Sequence, residues 1–150
     1  MHSENAIVDS FSIFRVSNEY FAIKAESVVE IMMVPHVTPV PKGADYLKGL
    51  FNHRGRILSL LESSVRLNLP SIEIGEKTPL MVVHYSDEKK EVEFGVIVDE
   101  VIEVIELASE NIREYPSLEF SYDNSFIKGI IKYHDLQVTL LDIKNTFGIR

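Results

Sequence analysis

Short apolar runs recur along the whole chain, and clusters of turn-forming residues separate them. Runs of about six to nine residues, rich in aromatic and β-branched side chains and partly alternating with polar ones, are typical of β-strands. For residues 101–107 the period alone also leaves a helix open. The pattern predicts strands at 11–16, 19–25, 28–34, 46–52, 56–62, 80–86, 91–99, 101–107, 126–133 and 137–143, and a short terminal helix at 144–150.

Turn and loop residues set the connections between these strands. Ser17-Asn18 predicts a tight hairpin turn, and so do the corners at 52–55 and 87–90. Prolines make residues 35–43 a loop or an extended edge segment, and residues 68–79 are the best candidate for a mobile connection. Many short strands without a long helix favour a mainly β fold of the barrel or sandwich type.

Two pairs of segments resemble one another, in the same order in both halves of the chain. The aligned pairs are 21–31 with 94–104 and 47–62 with 127–142. We therefore expect two similarly built lobes, each a small barrel, the first mainly from about 20–68 and the second mainly from about 80–143. An exchange of the N- and C-terminal segments between the barrels stays open at this point.

The repeat clarifies the meaning of the corner "FNHRG" at residues 51–55. This corner occupies the same position as residues 131–135 in the second half, so its place in the chain is architectural. Arg54 and Gly55 occur only in the first half, and the fold alone does not require them. Docking to another protein is the best explanation for Arg54.

Composition and charge exclude several classes of function. The formal net charge is −8, from 23 acidic and 15 basic residues, and no basic run is longer than Lys89-Lys90, so a nucleic-acid surface is not expected. The chain has no cysteine, which excludes disulfides and thiolate chemistry. Because the first residues lack a signal-peptide pattern and no apolar run approaches the roughly 18 residues of a spanning helix, we expect a cytoplasmic protein without membrane insertion.

Motifs for catalysis or ligand binding are weak. The histidines show no metal-ligand spacing, and the chain has neither a phosphate-binding glycine loop nor a nucleophile elbow, so no metal or cofactor is expected. His134 and Asp135 are a candidate base and orienting group for a serine, which makes a small β-rich hydrolase the alternative from another class. An oligomeric β-protein without a signalling role is a further alternative.

Glu30 lies within an apolar run and raises a docking hypothesis. If Val29 and Ile31 face the core, then Val28, Glu30 and Met32 share the opposite face of the strand. A single charge among exposed apolar side chains suits a partner surface of fixed register. If the two strands are neighbours, the planar guanidinium of Arg54 complements the carboxylate of Glu30.

Four longer segments occur in a fixed order along the chain. They are residues 14–41, "LKGLFNHRGRILSLLE" at 47–62, "FGVIVDEVIEVIEL" at 94–107 and "FIKGIIKYHDLQVTLLDI" at 126–143. Together they resemble the family of CheW-like chemotaxis coupling proteins, and the resemblance runs from about residue 11 to 148. It implies two five-stranded SH3-like barrels packed together, with short helices, in a non-enzymatic adaptor.

The resemblance also implies partners and contact residues. It indicates an adaptor that couples the helical hairpin at a chemoreceptor's cytoplasmic tip to the regulatory domain of a histidine kinase. In such proteins the receptor docks near the groove between the barrels, and the kinase domain meets a barrel end. The implied contact residues are Val28, Glu30, Gly49, Arg54 and Gly95, and the corner adds Asn52, His53 and Gly55. Gly49 and Gly95 suit either close backbone approach or packing.

The first half departs from the family's pattern at several positions. His53 stands where the family corner carries an apolar residue, Ser59 stands where it carries a proline, and Ser64 stands where an arginine ends the segment. These departures leave two possibilities open: the main chemotaxis adaptor, or a divergent member that serves a second array or another kinase pathway. For His53 three interpretations remain: a changed partner, a surface change of no consequence, or weak pH sensitivity.

Overall fold

The structure, a computed structural model, describes residues 7–88, 90–114 and 122–148. Its described residues form mainly strands, with short helices between them. The strands are β1 (Val8–Val16), β2 (Glu19–Lys24), β3 (Val28–Met33), β4 (Leu47–His53), β5 (Arg56–Glu62), β6 (Pro79–Asp87), β7 (Lys90–Ile97), β8 (Glu100–Ala108), β9 (Ile127–Tyr133) and β10 (Leu136–Leu141). The α-helices are α1 (Ser63–Arg66) and α2 (Ile143–Phe147).

The predicted strands are confirmed to within about three residues at their ends. Residues 101–107, for which a helix was open, form most of strand β8. The predicted terminal helix at 144–150 corresponds to α2, and residues 149–150 lie outside the described part of the chain. Helix α1 was not predicted, because a single turn is too short to show a helical period.

The strands form two five-stranded sheets with the same internal order. Sheet I has the order β3-β6-β7-β5-β4, and sheet II has the order β8-β1-β2-β10-β9. Under the repeat, β3, β4 and β5 correspond to β8, β9 and β10, and the hairpin β6-β7 corresponds to β1-β2. The expected fold class, mainly β with two five-stranded units and short helices, is confirmed.

The sheets divide the chain differently from the two predicted barrels. Strands β6 and β7 were expected in the second barrel at 80–143, yet they pair with β3 and β5 in sheet I. Strands β1 and β2 complete sheet II instead. The cause is a parallel pair in each sheet, Leu60 with Gly95 and Leu140 with Ala22, because a strand's own hairpin partner is antiparallel and cannot fill a parallel position.

One hydrophobic core joins the two sheets. Phe14 and Phe21, from the hairpin that completes sheet II, belong to the same buried cluster as Phe51 and Phe94 of sheet I. The opposite face of that hairpin is buried in a second cluster by Phe11, Ile13 and Ala22. Because both faces of the β1-β2 hairpin are buried, the hairpin cannot leave sheet II without exposing apolar surface on both sides.

Arg66 of α1 lies where the two halves meet. Its guanidinium carbon is 4.7 Å from the ring centroid of Tyr46 and 4.7 Å from that of Phe126, and these two rings are equivalent in the repeat. Its Nε donates to the carbonyl oxygen of Thr146 at 2.5 Å, and Thr146 is the repeat equivalent of Arg66 itself. One arginine thus makes a cation–π contact with the equivalent ring of each half.

Gly49 sits at a close approach between two segments of backbone. Thr38 and Leu50 exchange two backbone hydrogen bonds of 2.8 Å above it. A Cβ at Gly49 would lie 2.4 Å from the carbonyl oxygen of Thr38, and its φ of 153° is rare for other residues. Gly129 has the same kind of contact in sheet II, where a Cβ would lie 3.0 Å from the carbonyl oxygen of Arg113. At Gly49, close backbone approach thus explains the glycine.

We expect Gly49→Ala to lower the free energy of unfolding by roughly 2–4 kcal/mol, because the added methyl group meets fixed backbone in a strained conformation. Urea unfolding monitored by circular dichroism measures the loss. Gly75→Ala is the matched control, because nothing lies within 4 Å of a Cβ built there, and its effect is expected to stay within about 0.5 kcal/mol. Equal effects of the two substitutions would contradict the explanation.

Candidate docking site

The corner between β4 and β5 is a two-residue hairpin turn. Arg54 and Gly55 have φ values of 53° and 82°, and positive φ at both central residues is the mark of a type I′ turn. Asn52 Oδ1 accepts a hydrogen bond of 3.0 Å from the Gly55 N–H. Asn52 and Gly55 therefore shape the corner, whereas Arg54 stands at its tip with 74% of its side chain exposed.

Glu30 connects strand β3 to this corner. Its Oε1 lies 2.7 Å from His53 Nε2 and 3.0 Å from Arg54 Nη2. The contact of Glu30 with Arg54 is confirmed, although β3 and β4 are the two edge strands of sheet I and not the neighbours that the prediction assumed. His53 is a second partner that the sequence analysis missed. The hydrogen bond with His53, and then the charge of Arg54, lower the pKa of Glu30 below its usual value.

His53 is buried, with 7% of its side chain exposed. Its ring centroid is 6.4 Å from that of Phe51, and its Nδ1 lies 4.0 Å from Glu93 Oε1. Glu93 in turn accepts a hydrogen bond of 2.9 Å from Arg56 Nη1. We call this continuous series the corner network: Arg54, Glu30, His53, Glu93 and Arg56. The interpretation of His53 as a surface change is therefore wrong, because the ring lies inside the network.

Strand β3 faces the opposite way from the prediction. Val28 and Met32 pack against the core. The side chains that point to solvent form the apolar stripe, which consists of Val29, Ile31 and Met33, exposed by 42%, 49% and 58%. Alternation fixes which residues share a face but not which face is buried, and apolar residues flank Glu30 on both faces of the strand. Glu30 shares the inner side with Val28 and Met32 because the corner supplies its hydrogen-bond partners.

An apolar groove of about 350 Å³ lies beside the corner. Ile57 on its wall is 64% exposed. The groove is lined by Pro35, His36, Thr38, Leu50, Phe51, Asn52 and Ile57. Sheet II has an equivalent depression of about 200 Å³, whose lining mixes the apolar residues Ile130, Ile131 and Leu136 with the charged and polar residues Arg113, Lys132, Asp135 and Gln137. The two halves thus present different chemistry at the same structural position.

The predicted residues that lie away from the corner tip act through packing. A Cβ at Gly95 would lie 2.8 Å from the Phe51 ring, so Gly95 leaves room for the ring that neighbours His53. Gly49 serves the close backbone approach described above, and Val28 is half-buried against the core. These three residues support the shape of the corner from within, whereas Arg54, the apolar stripe and Ile57 on the groove wall are exposed.

The hydrolase alternative finds no support in the geometry. His134 occupies an exposed turn with φ 54°, and its ring centroid is 4.4 Å from that of Tyr133. A turn of this shape does not enclose a base and a nucleophile. Within the described ranges no cluster of three potential ligands could hold a metal ion, and none of the helices there is long and apolar enough to cross a membrane.

Comparisons with known proteins give a consistent result. Residues 10–148 match the family model described as a CheW-like domain. The chemotaxis protein CheW of Rhizobium meliloti strain 1021 is 26% identical over 134 residues, which cover 89% of this chain and 84% of that protein. The protein of the same name from Bacillus subtilis strain 168 is 28% identical over 142 residues, covering 95% and 88%.

A solved structure shows the same fold. The crystal structure of the scaffolding protein TtCheW from Thermoanaerobacter tengcongensis aligns with a TM-score of 0.82 at 21% identity. The alignment covers 96% of this chain and 95% of that chain. The two-sheet architecture described above is therefore shared along almost the full length of both proteins.

We expect Glu30→Gln to lower the unfolding temperature at neutral pH and to make the acid side of the stability profile shallower. Because the pKa of Glu30 is lowered in the folded chain, its carboxylate stabilises the fold above the unfolded-state pKa, and this stabilisation is lost as pH falls through the folded-state pKa. Thermal unfolding from about pH 7 to pH 3 measures the difference. Glu106→Gln, at an exposed position of β8, is the control, and a difference for Glu30→Gln that stays constant with pH would refute the prediction.

Proposed function

We propose that this chain, which belongs to the family of CheW-like domains, is a non-enzymatic adaptor that couples a chemoreceptor to a histidine kinase in bacterial chemotaxis. The family match over residues 10–148 and the curated relatives named chemotaxis protein CheW support this function. We place the adaptor in the cytoplasm, where the receptor tip and the kinase are found. The observation that carries the docking role is an exposed arginine at a corner flanked by an apolar groove.

Binding at this site combines apolar area with one directed charge. The groove of about 350 Å³ accepts apolar side chains of a partner, and their burial supplies most of the affinity. Arg54 contacts Glu30 at 3.0 Å while most of its side chain is exposed. A carboxylate of the partner can therefore take over the guanidinium and fix the register of the complex.

Because the two halves differ, we assign the two partners to different surfaces. The apolar stripe of Val29, Ile31 and Met33 corresponds in the repeat to Ile102, Val104 and Glu106, so the stripe is interrupted by a charge in sheet II. We assign the apolar corner of sheet I to the regulatory domain of the kinase. The helical hairpin of the receptor tip then docks near the junction of the two sheets, so that one adaptor holds both partners at once.

We expect Arg54→Glu to weaken binding to the kinase regulatory domain by roughly ten-fold or more, because it places a second carboxylate beside Glu30 and repels an acidic partner group. His134→Glu is the matched control, since His134 holds the same turn position in sheet II with φ 54°. Calorimetric titration of purified kinase regulatory domain and of a receptor cytoplasmic fragment, both from the source organism, measures the affinities. Unchanged binding by Arg54→Glu would remove the corner from the interface, and the lack of any binding by the parent protein would remove the adaptor function.

We expect Ile31→Ser to reduce the affinity for the kinase domain by roughly five-fold, because it removes apolar contact area from the stripe. Val104→Ser is the control, since Val104 is the repeat equivalent of Ile31 and is exposed to a similar extent, 57% against 49%. Both positions face solvent, so the two variants should unfold at similar temperatures. An equal loss of affinity in both would show that sheet II contributes a comparable surface.

A further inference from the structure

The two corners of the protein share one contact but build it from different side chains. In sheet I, His53 contacts Glu30, which lies on edge strand β3. In sheet II, Tyr133 donates its phenolic hydrogen to Glu103 on edge strand β8. His53 corresponds to Tyr133 in the repeat, and Glu30 corresponds to Glu103. In both sheets the residue before the turn therefore ties the corner to a glutamate of the edge strand.

The surroundings of the two donors differ. His53 faces Glu30 from β3 at 2.7 Å and Glu93 from β7 at 4.0 Å. The turn contributes Arg54, which contacts Glu30, and β5 contributes Arg56, which contacts Glu93. The repeat places Tyr20 at the position of Glu93 and Leu136 at that of Arg56. The second corner thus has no imidazole at the position of His53 and no carboxylate at that of Glu93.

The protonation state of the imidazole determines to how many carboxylates it can donate a hydrogen bond. A protonated imidazole donates from both nitrogens, whereas a neutral one donates from one nitrogen and presents a lone pair at the other. Histidine is the side chain that ordinarily changes charge between about pH 5 and 8, and tyrosine does not ionise in that range. A neutral ring that donates to Glu30 turns its lone pair towards Glu93, and a protonated ring attracts both carboxylates.

We propose that His53 is a positioning residue through which protons control the docking corner. When it is protonated, it holds both Glu30 and Glu93 and leaves Arg54 free for an acidic group of the partner. When it is neutral, Glu30 keeps Arg54 as its main counter-charge, and the partner must compete for the guanidinium. Protonation of His53 therefore favours docking. This regulation rests on the proposed function only where a partner is involved, because the coupling between His53 and Arg54 exists in the isolated protein.

A second histidine titrates nearby and needs its own control. His84 on β6 lies opposite Glu93 in the sheet and contacts Glu91 at 2.5 Å. The hydrogen bond with Glu91 raises the pKa of His84. The protonated ring therefore stabilises the fold, and this stabilisation is lost as pH rises through the folded-state pKa. Because His84 has no contact with Glu30 or Arg54 among the described residues, His84→Gln separates the two effects.

The first arm of the test uses the isolated protein. Nitrogen-detected NMR follows the His53 ring and the Nε–H of Arg54 from about pH 5.5 to 8. We expect the two signals to change with a single common midpoint in the parent protein and in His84→Gln. In His53→Tyr, which copies the second corner, the Arg54 signal should stay constant. An Arg54 signal that does not follow the His53 ring in the parent overturns the proposal.

The second arm measures affinity for the purified kinase regulatory domain at about pH 6 and pH 8. We expect the parent and His84→Gln to bind at least about three-fold tighter at the lower pH, and His53→Tyr to change by less than about two-fold. If His53→Tyr fails to fold, His53→Gln replaces it as a donor that does not titrate. Retention of the full pH dependence in either variant overturns the proposal. If the parent binds no partner at any pH, the proposed function fails, and the first arm still decides the coupling.

Discussion

Parallel pairing between the two halves of the chain is the constraint on which the structure depends. Strand β5 meets β7 in parallel at Leu60 and Gly95, and β10 meets β2 in parallel at Leu140 and Ala22. Neither sheet can be completed from one half alone, because each half supplies three strands of one sheet and the hairpin that fills the other. The shared core follows from this exchange, since the exchanged hairpin β1-β2 buries residues on both of its faces. A fixed relation between the two corners follows as well, which the proposed adaptor needs in order to hold two partners at once.

The exchange of hairpins also explains how two sheets of the same strand order present two different surfaces. Both sheets place a hairpin corner beside an edge-strand glutamate, and both use a glycine beneath a crossing segment of backbone. These shared features are the ones that the fold needs. The features that differ are the apolar groove, the uninterrupted apolar stripe and Arg54, and all of them lie on the outside of sheet I. Their restriction to one sheet is the physical reason to regard them as contact surface rather than as part of the scaffold.

The sequence predicted the strands along the chain and the contact of Glu30 with Arg54, because these depend on local pattern and on complementary charge. It failed where the outcome depends on distant pairing. The expected barrel spans group β6-β7 with the second half, whereas the sheets exchange the two hairpins, because a parallel partner leaves no mark in the neighbouring sequence. The buried face of β3 was assigned wrongly because apolar residues occupy both faces of that strand, and only the contact of Glu30 with His53 decides between them. The repeat held a usable signal that the sequence analysis did not follow: His53 aligns with Tyr133, and each stands opposite a glutamate.

The corner network shows why His53 cannot be understood as a single departure from an apolar position. The side chain of His53 is only 7% exposed. Burial removes water from its ring nitrogens, and this desolvation would destabilise the fold if the nitrogens had no hydrogen-bond partners. Glu30 is the hydrogen-bond partner of one ring nitrogen, and Glu93 faces the other. Glu93 is itself 14% exposed and is tolerated because Arg56 neutralises it. His53, Glu93 and Arg56 therefore depend on one another, and the second sheet, which has tyrosine, tyrosine and leucine at these positions, lacks all three together. The change in sheet I is thus a change of a whole network, which connects a buried imidazole through Glu30 to the arginine at the tip of the corner.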